Sequence, residues 1–331
     1  MSSVLSCFFP TTVVLVDDNT AFLESLQESL DIKDVNLVTF TDPSKALEYI
    51  NDVSSINRLD YVDLTKGGEE STSDWKSILI NVNCLHHEIY SFNRFSMISA
   101  VVTDYFMGGM NGIELCADIE NKSIRKILLT GVTDEKSAID AFNNNFINCF
   151  VKKDSPDFSN EIKNNIQRGV HQYFANYSEN ISRYLSVQGK THLRDPIFSN
   201  FFNKLCETVN FCEYYMLDSF GSYVFFDENG QASFLCVLTE YEMDRLIETA
   251  RESGEISGET LKGLESKEFM LAYHNRRGTL PPVSEWKKYL VPARVLSGYQ
   301  TYYFAIVDPS ILDIDFDKIK SFNQFKKSSG F

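Results

Sequence analysis

From residue 11 to about residue 155, short apolar runs alternate with amphipathic stretches. Thr11–Val16 is an apolar run that ends in Asp17, Asp18 and Asn19, the pattern of a buried parallel strand. Phe22, Leu23, Leu26 and Leu30 then share one face of a helix over Thr20–Leu30. Val35–Phe40 predicts a second strand, and Ser44–Ile50 a second helix opened by Asp42–Pro43. The alternation breaks over residues 52–95, which are polar and rich in Ser and Asn. It returns with strands at Ile98–Thr103, Ile127–Thr130 and Cys149–Val151 and a helix at Asp134–Asn143. Strand–helix alternation of this kind builds a parallel sheet covered by helices on both faces, with functional groups at the carboxyl ends of its strands. The residues at those ends are Asp17, Asp18, Asp104, Thr130 and the pair Lys152–Lys153.

The second half changes period. From Pro156, Phe158, Ile162, Ile166, Val170, Tyr173, Tyr177, Ile181 and Tyr184 recur at spacings of four and three, interrupted by Gly169. This stripe predicts one long connector helix over 156–188, able to pack on its own chain or to dimerise. Beyond residue 190, Glu213–Leu217, Ser222–Phe226 and Ser233–Leu238 are aromatic and β-branched runs. Asp218–Gly221 and Asp227–Gly230 separate them with turn chemistry, so an antiparallel meander is expected. Thr239-x-x-Glu242 is a capping box for a helix with Met243, Leu246, Ile247 and Ala250 on its apolar face, and further helix is expected to about Leu271. Ala293–Leu296 and Thr301–Val307 read as a hairpin around Ser297–Gly298. The expectation is an α+β output domain over 189–331, similar in element order alone to PAS- and GAF-type modules.

Composition narrows the classes. The 331 residues are 43% hydrophobic and 23% charged, with a formal net charge of −15, which disfavours nucleic-acid binding at long range. No apolar run is long enough to span a membrane, and residues 1–10 lack a basic segment before their apolar ones, so a cytoplasmic protein is expected. The seven cysteines form no C-x-x-C pair, and free thiols are expected. Within 52–95, Trp75 and the Ile78–Val82 run predict a strand inside an insertion. No helix-turn-helix pattern in a basic context and no P-loop is present, and Asp313-x-Asp315-x-Asp317 lacks the Gly and distal Glu of an EF-hand loop.

Three carboxylates at one sheet edge raise one another's pKa unless a cation lies among them, and hard oxygen ligands suit Mg²⁺. With a lysine and a threonine hydroxyl beside them, such a group suits phosphoryl transfer: one carboxylate attacks, while the cations neutralise the phosphoryl oxygens.

The stretches Val13–Asn19, Val101–Gly112 and Ile127–Gly131 resemble the receiver domain of two-component response regulators. The resemblance covers 11–155 apart from the insertion, and it implies a flavodoxin-like, doubly wound, five-stranded parallel sheet. It implies Asp104 as phosphoacceptor, followed by Met107 and by Met110–Asn111–Gly112. Asp17 and Asp18 match the acidic pair, with Mg²⁺ on Asp18, Asp104 and the Phe106 carbonyl, and Thr130 matches the switch hydroxyl. Gly108 stands where the family has proline, so a more mobile loop is expected there. Spacing from Thr130 points to Lys152 as the active-site lysine. The family's aromatic three residues before that lysine, here Phe150, points instead to Lys153, as does the following Asp154-x-Pro156; we take Lys153, with Phe150 as switch aromatic. The expected partner is a sensor histidine kinase or phosphotransfer protein, in a phosphorelay that ends on an output domain without a DNA-binding motif. The alternative is a receiver-regulated enzyme acting on nucleotides through the second half.

Overall fold

The structure is a computed structural model that describes residues 4–56, 62–63, 79–80, 88–131, 134–187, 192–218, 220–273, 280–312 and 314–328, with side chains at 56, 62–63, 79–80 and 180–187 outside the description. Trp75 and Asp313 lie outside it. In chain order the first half runs β1 (Cys7–Phe8), β2 (Thr11–Val16), α1 (Thr20–Ser29), β3 (Val35–Phe40), α2 (Pro43–Ile56), β4 (Val62–Asp63), β5 (Leu79–Ile80), α3 (Asn93–Ser96), β6 (Ile98–Asp104), α4 (Gly112–Asp118), β7 (Arg125–Thr130), α5 (Glu135–Asn143), β8 (Cys149–Lys152) and α6 (Phe158–Val187). The second half continues with α7 (Pro196–Val209), β9 (Glu213–Met216), β10 (Tyr223–Phe226), β11 (Ala232–Thr239), α8 (Glu240–Ser253), α9 (Gly258–Glu265), β12 (Phe269–Leu271), β13 (Leu290–Pro292), β14 (Arg294–Ser297), β15 (Thr301–Val307) and α10 (Phe322–Ser328).

The chain divides into two compact units. One holds the described residues of Phe9–Leu59 and Phe92–Tyr177. Its five strands are all parallel, in the order β3-β2-β6-β7-β8, the doubly wound flavodoxin-like arrangement. The central strand β2 is buried along its whole length, as a strand covered on both faces must be. Val14, Val16, Ile98 and Val101 pack with Ala46 and Ile50 of α2 and Leu115 of α4, whereas Leu128 packs with Cys116, Ala138, Ala141 and Ile147. Asn19 caps α1, accepting from the Phe22 N–H, and Asn111 opens α4 with a capping box completed by Glu114.

Three expectations shift in detail here. Helix α2 runs on to Ile56, into the stretch that looks patternless in sequence. The buried stripe of α6 goes from Ile162, Ile166 and Val170 to Phe174, which is fully buried against Phe9, while Tyr173 is only half-buried. Gly169 on α6 is a packing glycine: a Cβ there would come within 2.8 Å of the Arg125 side chain.

The other unit comprises the described residues of Met1–Phe8, Asp60–Ser91 and Ser178–Ser328. Its six-stranded sheet is antiparallel throughout, in the order β1-β9-β10-β11-β15-β14. The segment before residue 9 thus supplies an edge strand, with Cys7 opposite Tyr215. Helix α7, unsuspected in the sequence, lays Phe198 and Phe202 on this sheet, with Phe202 stacked among Tyr214, Tyr223 and Phe225. Met243, Leu246, Ile247 and Ala250 of α8 are buried as their spacing predicts, and the Thr239 side chain caps that helix by accepting from the Glu242 N–H. The expected helix to Leu271 is corrected: α9 ends at Glu265, and Phe269–Leu271 is a strand paired with β13. Within the insertion, β4 and β5 pair antiparallel, Val62 opposite Ile80. No helix among the described residues is long and apolar enough to cross a membrane, and Cys7, Cys116, Cys149, Cys206, Cys212 and Cys236 are free thiols.

Candidate functional site

The parallel register brings the strand-end residues together. Asp104 ends β6 opposite Leu129, one residue before Thr130 ends β7, and Thr130 faces Lys152 across β7 and β8. The Lys153 N–H then donates to the Thr130 carbonyl at 2.9 Å, which carries the chain past the strand end and turns the next side chain toward the acidic edge. Lys153 Nζ lies 2.8 Å from Asp17 Oδ2 and 2.9 Å from Asp104 Oδ1. Lys152 points elsewhere, into a solvent-exposed pair with Glu135 at 3.1 Å. Asp17 is buried, and its other oxygen accepts from the Asn19 N–H at 2.9 Å, so this carboxylate both braces the start of α1 and faces the lysine.

Electrostatics here are those of a crowded, half-dry acidic pocket. Burial pushes the Asp104 carboxyl above its ordinary range and Asp17 adds to the rise, while Lys153 opposes it. Burial alone would lower the Lys153 pKa, but hydrogen bonds to Asp17 and Asp104 outweigh it and hold the ammonium above its usual value. The Phe22 ring places its face 4.3 Å from Lys153 Nζ and is itself tilted against Phe158. Nothing in the sequence signals this role, because Phe22 reads there as one more apolar residue of α1.

Thr130 is fully buried, and its hydroxyl has no hydrogen-bond partner among the described residues. A buried hydroxyl without a partner costs free energy unless something arrives to use it. Phe150 is half-buried among Cys116, Leu128 and Ala138. Past Asp104, the Thr103 hydroxyl donates to the Asp104 carbonyl at 3.1 Å, Met107 is buried, and Phe106 stands 73% exposed. The left-handed residue of this loop is Gly109, at φ +92°, and Gly108 has open space around its Cα. Gly112 is held by approach instead, for a Cβ there would collide with the Asp104 carbonyl oxygen and Leu128.

Asp17, Asp18, Asp104 and the Phe106 carbonyl offer only hard oxygen donors, the ligand chemistry of Mg²⁺. The three carboxylates are not drawn into one cluster: Lys153 lies between Asp17 and Asp104, Asp18 is exposed, and no group of three metal-ligating side chains occurs among the described residues. The donor set thus suits a hard divalent cation by oxygen chemistry and not by convergence, and the Thr130 hydroxyl, without a partner among the described residues, suits a phosphoryl oxygen.

No protein-family model matches the chain, and no curated protein matches it. Among solved structures, the response regulator LqsR of Legionella pneumophila is 34% identical, with a TM-score of 0.77 over 98% of this chain and 95% of that one. A response regulator receiver domain protein from Clostridium thermocellum is 16% identical over 49% of this chain and 95% of its own, with a TM-score of 0.33. A CheY-like receiver domain protein from Methanospirillum hungatei is 15% identical over 48% and 96%, with a TM-score of 0.32. The identity to LqsR extends over both units, and at that level over nearly the whole length it shows that this chain belongs to the response regulators.

Proposed function

We propose that this response regulator is switched by phosphorylation of Asp104. The observation that carries the reading is the Lys153 ammonium between Asp17 and Asp104, beside the partnerless Thr130 hydroxyl. An Asp104 oxygen attacks the phosphorus of a phosphohistidine on a kinase or phosphotransfer protein; the P–N bond breaks, the imidazole leaves with the electron pair and takes a proton, and an acyl phosphate remains. Lys153 neutralises charge on the transferred group, and the Thr130 hydroxyl donates to one of its oxygens. Asp17, Asp18, Asp104 and the Phe106 carbonyl would be the oxygen donors to Mg²⁺, which would supply further charge neutralisation when bound. Movement of Thr130 toward the phosphoryl group empties space beside Leu128, into which the half-buried Phe150 can turn. The second unit receives the change as a binding module.

Acetyl phosphate with Mg²⁺ is the direct test. Intact-mass spectrometry should show one added phosphoryl group, absent from Asp104→Asn and strongly reduced in Lys153→Met. A phosphoryl group carried equally by Asp104→Asn would sink the assignment.

A further inference from the structure

A second polar cleft lies away from the acidic edge, where β7 begins and α6 passes. Arg125, Asn164, Gln167, Arg168, His171 and Gln172 line it, with a volume of about 580 Å³, large enough for a small metabolite. Two features set it apart. Its lining contains no carboxylate, although the chain carries 46 acidic residues, and α6 has none between Glu161 and Glu179. Neither Arg125 nor Arg168 takes part in an ion pair among the described residues. Two uncompensated guanidinium groups and an imidazole converge on one concave surface of a strongly acidic protein.

The cleft is also built rather than incidental. Arg125 reaches it because Gly169 leaves room for its aliphatic stem, where any Cβ would lie within 2.8 Å of the Arg125 Cδ. A glycine in a helix interior is destabilising relative to alanine, and here its lack of a Cβ secures the Arg125 position. Arg125 Nη2 donates to Asn165 Oδ1 at 3.1 Å, and Asn165 in turn donates to the Glu161 carbonyl at 2.9 Å, which fixes the fork. Its Nε is buried without a partner among the described residues. Gln172 is anchored on Asn176 at 2.6 Å, leaving Arg168 and His171 on adjacent turns of α6 as the adjustable groups.

We propose that this cleft binds a phosphate group, free or carried by a small molecule, with Arg125 and Arg168 as the charged contacts. Planar guanidinium forks suit phosphate oxygens, and a net charge of −15 repels anions generally, so binding here must come from these local donors.

The test uses the full chain in EDTA, so that no metal-assisted binding at the acidic edge contributes. The His171 ring resonances, assigned by their loss in His171→Gln among the five histidines, are followed during titration with inorganic phosphate, pyrophosphate and adenosine monophosphate. Saturable shifts are expected, weakened at least tenfold in Arg168→Gln and in Arg125→Gln. Arg168 is exposed, so its variant should fold even if Arg125→Gln does not. Tighter binding of the nucleotide than of phosphate would identify a phosphorylated metabolite, and the reverse order a free oxyanion; either supports the cleft. No saturable shift, or shifts unaltered in Arg168→Gln, would overturn it.

Discussion

Replacing Lys153 with methionine removes the charge between Asp17 and Asp104 while keeping a stem to pack against Phe22. The two carboxylates, each under 3 Å from the ammonium, have oxygens within about 6 Å of one another; at an effective dielectric of about 20, two unit charges at that separation repel by roughly 3 kcal/mol. Breaking a buried pair by deleting one partner costs about 3–5 kcal/mol, and the 30% exposure of Lys153 places this case at the low end. The expected loss at pH 7.5 in EDTA is therefore about 3 kcal/mol. The sign of its pH dependence follows from Asp104, whose folded pKa is raised mainly by burial. Stability linked to such a group is present below its unfolded pKa and lost as pH rises through the folded one. Without Lys153 the folded value rises further, so the deficit relative to wild type should be smaller at pH 5 than at pH 7.5, the direction in which Asp104 protonates. Adding Asp104→Asn to Lys153→Met should recover most of the loss at pH 7.5 by removing one of the repelling charges. Calorimetric unfolding of wild type and both variants at the two pH values checks this. An equal deficit at both, or no recovery in the double variant, would refute the electrostatic account and leave lost packing as the cause.

Thr130→Val should stabilise the unphosphorylated protein by about 1 kcal/mol, because it removes a buried hydroxyl without a partner; the same variant should lose the phosphorylation-dependent change in hydrogen exchange around Phe150, and a destabilised variant would contradict the reading. Gly112→Ala should cost about 1–3 kcal/mol by forcing a methyl against the Asp104 carbonyl and Leu128, and should slow phosphorylation of Asp104; thermal unfolding and acetyl phosphate labelling measure the two effects. In the second unit, the buried Asp195 carboxylate accepts from the Ile197, Phe198 and Tyr299 N–H groups and from the Tyr302 hydroxyl. Asp195→Ala should destabilise by about 3 kcal/mol, more than an ordinary lost cap, because buried and half-buried donors lose one acceptor together. The Tyr302 hydroxyl, pushed up by burial and by Asp195, should then ionise at lower pH in an ultraviolet titration of the folded variant.

What could be read without the structure was what lies within a few residues along the chain. The strand ends with Asp17, Asp18, Asp104 and Thr130 were legible because a buried parallel strand is an apolar run, and the residue that stops the run is the residue at the sheet edge. The two lysines could not be separated that way, since both follow the same run; only the three-dimensional turn after β8 sends Lys153 to Asp17 and Lys152 to Glu135. Helix α7 escaped for a different reason: Asp195–Pro196 followed by Phe198, Phe201 and Phe202 at helical spacing is a start signal carried in the sequence itself, and it went unread. The α6 stripe strayed onto Tyr173 because spacing alone does not say that Phe9, far earlier in the chain, packs on Phe174.

The second unit follows this logic furthest, and it bears on how such a chain can be cut. Its edge strand Cys7–Phe8 pairs with Tyr214–Tyr215, and the Tyr223 hydroxyl donates to the Leu5 carbonyl at 3.2 Å. The Ser6 N–H and hydroxyl both engage Ser178 Oγ. The sheet expected to lie wholly beyond residue 189 thus takes a strand from before the parallel sheet begins, with two buried polar residues and Cys7, 1% exposed, sealed by it. A fragment starting at residue 189 would leave the outward N–H and C=O groups of β9 and the apolar side of Tyr215 unpaired, the condition under which open sheet edges associate. Isolating this unit for binding studies therefore requires residues 4–8 to be supplied, joined by a linker or added as a peptide to a fragment that keeps Ser178. If the fragment from 189 alone stayed monomeric and matched the intact chain in hydrogen-exchange protection across β9 and β10, the edge strand would be dispensable and this account of the sheet wrong.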